Sequence, residues 1–276
     1  MTGSNDSTRI GGMLEEAGRS GRKALVPFLS VGDPDLSTSR DVILAAADAG
    51  ADIIELGVPF SDPIADGPVI QASSQRALAA GSSLPRVLEM VAKLREKTGV
   101  AFLLFGYYNP FFRYGDDRLA ADARAAGADG ILCVDLPPEE AGPLVHACER
   151  SSLDRIFLLA PTSDAARLDA VRGVASGFVY FVSVTGVTGA RSAAPTGLRE
   201  QVERVRAHVG LPVGVGFGIS SPEQAVEVAA YADLVVVGSA LVRTVHEAGK
   251  RDAAVACGRF VGSLRKALDE AYGGNG

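Results

Sequence analysis

The chain has no tryptophan, three cysteines and three histidines, and each scarcity removes a class of function. Cys133, Cys148 and Cys257 are odd in number and far apart in apolar or helical settings. That spacing excludes a disulfide frame or a zinc site and reads as reduced thiols. His146, His208 and His246 fall in stretches of helical period, away from strand ends, so the clustered imidazoles of a metal-dependent aldolase are missing. The lysines are Lys23, Lys93, Lys97, Lys250 and Lys266. Four fall in helical stretches and Lys23 precedes the first strand, the wrong end for a Schiff-base nucleophile. No serine or cysteine elbow is evident. No apolar run approaches the ~20 residues that span a bilayer. The opening MTGSNDSTR has no apolar h-region, so the expectation is a cytoplasmic protein. Lys and Arg number 27 against 33 Asp and Glu and are scattered, which argues against nucleic acid or an anionic membrane as partner.

What is present is a long alternation of short β-branched and aromatic runs with Ala/Glu/Arg-rich stretches of helical period. The pattern predicts strands over 24–31, 52–59, 101–107, 130–136, 155–160, 178–184, 212–217 and 233–238. Amphipathic helices are expected between them, among them 39–49, 85–97, 119–126 and 222–231. Ala-Gly-Ala-Asp leads into the second strand (49–52) and the fourth (126–129), and a looser Ala-Tyr-Ala-Asp leads into the eighth (230–233). The glycine suits a position just past a helix, where φ > 0 is often required. Eight β-then-α units point to a (β/α)₈ TIM barrel, with a doubly wound open sheet as the alternative. The expected layout is one barrel domain over 8–270 with an extra N-terminal helix, and disordered tails at 1–7 and 271–276. The longest intervals follow the second and sixth strands, where insertions would extend the face on which barrels place their chemistry.

The second strand runs into ELGVPFSDPIADGP, residues 55–68. Side chains alternate along a strand, so Ile54, Leu56 and Val58 face the outer helices while Ile53, Glu55 and Gly57 face inward. Glu55 becomes an interior carboxylate near the barrel mouth, with Gly57 above it leaving space for a ligand. Arg155 is the one cation in the eight strand runs and sits at the far end of the fifth. Desolvation should therefore raise the Glu55 pKa and suit it to proton exchange near neutrality. Asp66, in a Pro/Gly-rich loop, is placed to hang over the mouth or to cap a turn. Asp62, before Pro63, caps a turn or faces outward.

Small residues crowd the segment after the sixth strand, TGVTGARSAAPTG, which reads as a mobile lid. Gly216 and Gly218 close the seventh strand, and Gly238-Ser239 close the eighth. Glycines at successive strand ends let backbone N–H groups approach an anion, and a short helix after the eighth strand can add its N-terminus. Phosphate is the expected anion. What remains is carboxylate acid–base chemistry on a phosphorylated small molecule.

ELGVPFSDPIADGPVIQ, SVTGVTGAR, VGFGISSPEQ and VVVGSALV, in this order and at matching intervals, resemble the tryptophan synthase alpha subunit family from about Arg22 to Arg265. The resemblance implies retro-aldol cleavage of indole-3-glycerol phosphate to indole and glyceraldehyde 3-phosphate. It implies no cofactor in this chain and an allosterically coupled beta subunit, holding pyridoxal phosphate, in an αββα complex. It assigns Glu55 as general acid/base and Asp66 as the carboxylate on the indole N–H. Gly189, Gly218, Gly238 and Ser239 match the phosphate site. Phe28, Phe105, Tyr107, Leu132, Tyr180 and Phe217 match the pocket, Thr188 the lid threonine that bonds the loop aspartate, and Pro59 and Asp62 the loop that meets the beta subunit. The segment 191–196 departs from the familiar lid. Two other readings stand beside it: another phosphate-binding barrel isomerase of amino-acid biosynthesis, and a partner-activating subunit with negligible turnover alone.

Overall fold

Eight short parallel strands hydrogen-bond in sequence order and close into a barrel. The structure, a computed structural model, describes residues 8–182, 197–216 and 218–273. The strands are β1 (Ala24–Ser30), β2 (Ile53–Gly57), β3 (Ala101–Gly106), β4 (Gly130–Cys133), β5 (Asp154–Leu159), β6 (Val179–Val182), β7 (Val213–Gly216) and β8 (Leu234–Val237). The helices are α1 (Arg9–Ser20), α2 (Leu36–Asp48), α3 (Pro68–Ala79), α4 (Leu84–Arg95), α5 (Tyr108–Tyr114) and α6 (Asp116–Ala126). They continue as α7 (Gly142–Arg150), α8 (Ala165–Val174), α9 (Leu198–Val209), α10 (Pro222–Ala229) and α11 (Ser239–Tyr272). The barrel prevails over the open sheet because β8 pairs back onto β1, Ala24 opposite Leu234.

The predicted strand phase divides two cores. Ile54, Leu56 and Val58 join the large cluster between barrel and helices, whereas Ile53 packs inside with Val26, Leu103, Leu132, Ile156 and Phe178. Helix α1 closes the barrel at the strands' N-terminal ends. Ile10 and Leu14 bury into the interior cluster, Arg9 Nε bonds Asp129 at 3.0 Å, and Thr8 bonds Asp154 at the start of β5.

The Ala-X-Ala-Asp motifs serve this same end. Asp52 accepts the Leu25 amide at 2.8 Å, Asp129 that of Phe102 at 2.8 Å, and Asp233 that of Val213 at 2.9 Å. Each aspartate ahead of an even strand thus holds the start of the odd strand before it, and each is paired with arginine: Arg22 and Arg265, Arg9 and Arg95, and Arg206 respectively. The glycines of the first two motifs, Gly50 and Gly127, have φ of +95° and +98°.

The extra chain after β2 is a loop plus α3. After β3 comes an unforeseen short helix, α5. Helix α11 breaks at Gly249 (φ 70°, ψ 166°), so the segment following β8 is short, as expected. Its far end runs past the expected boundary at 270, because the Tyr272 hydroxyl anchors it by donating to Val226 O at 3.1 Å. Expectations for 1–7 and 274–276 lie outside the described residues. No helix among those described is long and apolar enough to cross a membrane.

Candidate active site

Glu55 sits mid-strand in β2, level with Phe28 on β1 and Leu103 on β3. It is 1% exposed and, among the described residues, its Oε1 has no hydrogen-bond partner. Burial alone pushes its carboxyl up to about 8, since a charge without a partner in apolar surroundings favours its neutral form. Contrary to expectation, the room beside Gly57 is taken by Phe28, whose Cζ would stand 2.6 Å from a Cβ placed there. The glycine lets an aromatic ring lie against the strand, and Gly57 itself lines the cleft beside that ring.

Asp66 occupies the loop between β2 and α3, half-buried. Burial raises its carboxyl to about 6, and the neighbouring Tyr107 hydroxyl opposes the rise. That hydroxyl also accepts the Ala65 amide at 3.0 Å. The loop is held from behind by α3. Ser74 Oγ accepts from Phe60 N at 2.9 Å and donates to Phe60 O at 3.0 Å, while Gln71 Nε2 donates to Asp66 O at 2.9 Å and to Pro63 O at 3.3 Å. Sequence reasoning missed both. Two polar side chains at i and i+3 on the first turns of a helix directly after the acidic loop were the available signal.

A cleft of about 270 Å³, its open mouth included, lies among the ends of β1, β2 and β3 and is walled by Phe28, Phe105, Tyr107, Pro59, Ile70 and Asp66. Phe28 and Phe105 meet edge to face at 5.0 Å. Tyr180 enters from β6, and the carboxylates of Glu55 and Asp66 both act on its hydroxyl. Burial first and then those two charges keep its pKa well above the ordinary value. Its hydroxyl lies over Gly216 on β7, where a Cβ would be 2.2 Å from Tyr180 Oη.

Leu132, opposite Phe105 in register, is fully buried in the interior cluster and supports that ring from within. Gly238 caps α11 without a side-chain hydrogen bond, so Ser239 and the next residues begin a helix whose first N–H groups no cap side chain engages. A Cβ on Gly238 would lie 3.8 Å from Phe28 Cβ, which places this terminus beside the aromatic wall. Gly218 is exposed with φ +50°. Pro59 is buried against the cleft whereas Asp62 is exposed. Thr188, Gly189 and Phe217 lie outside the described residues.

Two carboxyls raised by burial both act on the Tyr180 hydroxyl, Glu55 disposed to be neutral at pH 7 and Asp66 to be ionised. Such a pair supplies an acid and an anion to one substrate. The family model described as "Tryptophan synthase alpha chain" matches residues 14–268. The chain is 54% identical over 261 residues to the tryptophan synthase alpha chain of Citrifermentans bemidjiense, covering 95% of this chain and 98% of that one. Among solved structures it is similar to the tryptophan synthase subunit alpha of Legionella pneumophila, with TM-score 0.90, 38% identity and coverage of 95% and 99%. It is also similar to a chain of Mycobacterium tuberculosis tryptophan synthase, with TM-score 0.88, 40% identity and coverage of 95% and 99%.

Proposed function

The chain belongs to the tryptophan synthase alpha chain family and is a carbon–carbon lyase of tryptophan biosynthesis; we propose that it cleaves indole-3-glycerol phosphate with Glu55 as the proton carrier and Asp66 as the anion facing the indole nitrogen. The carrying observation is the buried carboxyl of Glu55, whose Oε1 has no hydrogen-bond partner among the described residues, in a barrel whose cleft is lined by Asp66.

Cleavage begins when neutral Glu55 protonates C3 of the indole ring. The ring becomes a cation with its charge at N1, where ionised Asp66 stabilises it more than it stabilises the neutral ground state. Glu55, now a carboxylate, removes the proton of the glycerol hydroxyl adjoining the scissile bond. The electron pair of the broken O–H bond forms the C=O of glyceraldehyde 3-phosphate, the C–C bond breaks, and its electron pair returns to the ring to give neutral indole. The first half uses the forms the environment favours, neutral Glu55 and ionised Asp66, and the burial that disfavours the Glu55 carboxylate strengthens it as the base of the second.

Phe28, Phe105, Tyr107, Leu132, Tyr180 and Phe217 form or support the pocket for the indole and glycerol portions. The phosphate lies against Gly218, Gly238 and Ser239, at the uncapped start of α11, with Gly189 completing the site and Thr188 bonding Asp66 when the lid closes. This chain needs no cofactor, and pyridoxal phosphate belongs to a beta subunit. That partner meets the β2–α3 loop, where Asp62 and the 86% exposed Ile64 stand outward and Pro59 backs them from the cleft. The complex is αββα and works in the cytoplasm.

The test is to incubate the purified chain with indole-3-glycerol phosphate and follow indole, with and without a beta subunit. Slow release alone and faster release in complex are expected, with Glu55→Gln silent in both. Turnover retained by Glu55→Gln would remove Glu55 from the mechanism.

A further inference from the structure

Among the described residues, the 63–66 turn that carries Asp66 has two outside attachments. Tyr107 supplies one, accepting the Ala65 amide at 3.0 Å while favouring the ionised Asp66 carboxyl. Gln71 supplies the other, its primary amide spending both N–H groups on the turn's own carbonyls, Pro63 O and Asp66 O. Among the described residues, no other side chain bonds the Asp66 carbonyl. The remaining bond at this peptide, Asp66 N to Pro63 O at 3.1 Å, is internal to the turn and ties it to nothing else.

Gln71 is well chosen for the work. It lies in the first turn of α3, its own amide bonded to Gly67 O at 3.0 Å, and helical side chains lean toward the N-terminus, here back over the loop. Helix α3 starts at Gly67-Pro68 without a side-chain cap, so glutamine is not needed to begin the helix. The helix itself is fixed to the barrel. Ser73 Oγ donates to Ser30 Oγ at 2.6 Å, and Arg76 makes a two-point ion pair with Asp33 at 2.7 Å in both contacts. An anchored helix therefore reaches the turn through one amide.

We propose that Gln71 is a positioning residue for the lyase reaction, holding the 63–66 turn so that the Asp66 carboxylate stays aimed at the substrate's ring nitrogen. The proposal rests on the role of Asp66 given above. With Gln71 unable to donate, the turn pivots about Tyr107 and Asp66 departs from its aim while the barrel is unchanged. Misplacement of a reacting group by ~1 Å can cost 10²-fold, so the effect falls on kcat and leaves KM nearly unchanged.

The test uses Gln71→Met, which keeps volume and helix propensity but cannot donate, and Gln71→Glu, which keeps the shape and offers carboxylate oxygens to two carbonyls. Full-length variants are assayed for indole release from indole-3-glycerol phosphate, alone and with a beta subunit, in native and Asp66→Asn backgrounds. The expected result is a loss of about tenfold or more in kcat in the native background and little further loss when Asp66 is already replaced. Carbon-13 NMR of the Asp66 carboxyl in the free chain should show its pKa falling from about 6 toward the ordinary carboxylate range as the turn opens to water. Unchanged kcat, a change in KM alone, or equal losses in both backgrounds would overturn the proposal. Full turnover by Asp66→Asn on its own would instead sink the reading of Asp66.

Discussion

The Tyr107 hydroxyl accepts the amide of Ala65 at 3.0 Å and holds down the pKa of the carboxyl on the very next residue, Asp66. One phenol thus stabilises the ionised form of Asp66 and fixes the backbone that presents it. Burial works in the opposite direction on the same carboxyl. Tyr107→Phe should therefore let the Asp66 pKa climb beyond about 6. The acid limb of kcat/KM would move to higher pH, and turnover at pH 7 would drop several-fold. A pH–rate profile of native and variant chains checks this, and coincident acid limbs would remove Tyr107 from the tuning of Asp66.

The two carboxylates predict the shape of that profile. Activity needs Asp66 ionised and Glu55 protonated, so it should fall below about 6 and above about 8. The upper limb belongs to Glu55, and a flat profile through pH 9 would contradict its service as the acid.

Glu55 also has a stability consequence. Its folded-state pKa of about 8 lies above the ordinary value of 4.5, so between these values the unfolded chain loses a proton that the folded chain keeps. The unfolded state binds fewer protons, and stability falls with rising pH by as much as ~1.4 kcal/mol per pH unit. Below pH 4.5 the group contributes nothing to the slope. Glu55→Gln, inactive, should be the more stable protein at pH 8 by several kcal/mol, the slope accumulated across that interval, and near parity at the acid end. Urea midpoints at several pH values measure the gap, and an advantage independent of pH would contradict the linkage.

Gly216→Ala should disable the site without touching a carboxylate. Its Cβ would press on Tyr180 Oη, the end of a rigid ring with no rotamer to yield. A stability cost of ~1–3 kcal/mol and a marked loss of turnover are expected. Tyr180→Phe in the same chain should relieve part of the strain, and an Ala variant as active as the native chain would show that Tyr180 has room.

The barrel floor predicts the reverse separation. Asp129 is 2% exposed and joins Arg95, Arg9 and the Phe102 amide. Asp129→Ala leaves Arg95 without its carboxylate and should cost ~3–5 kcal/mol. Below its unfolding transition, the variant should retain native kcat. Denaturant unfolding paired with kinetics separates the two effects.

Much of this was legible in the chain because the relevant physics is local or periodic. The phase of Ile53 through Val58 placed Glu55 inside, since alternation is forced by the pleat. The scarcity of cations on the strand runs foretold that its carboxyl would stand unpaired. Long-range geometry was not legible. Nothing in the neighbourhood of Gly57 shows that Phe28, from another strand, fills the space beside it. The roles of Gln71 and Ser74 depend on α3 folding back over the loop, and the Asp-to-amide bonds at Asp52, Asp129 and Asp233 span neighbouring strands. The repeated motif advertised a helix ending, visible in Gly50 and Gly127, and concealed that its aspartate fastens two strands together.

Helix α1, by burying Ile10 and Leu14 in the interior, stops the N-terminal end of the barrel. On the function proposed above, substrate enters at the opposite end, where Asp66 lines the cleft. Once a ligand fills that cleft, the proton on Glu55 is cut off from bulk exchange, and the hydrogen donated to the ring and the one reclaimed from the sugar chain pass through the same carboxyl. A sealed floor thus turns one ordinary glutamate into a private proton reservoir for a single turnover.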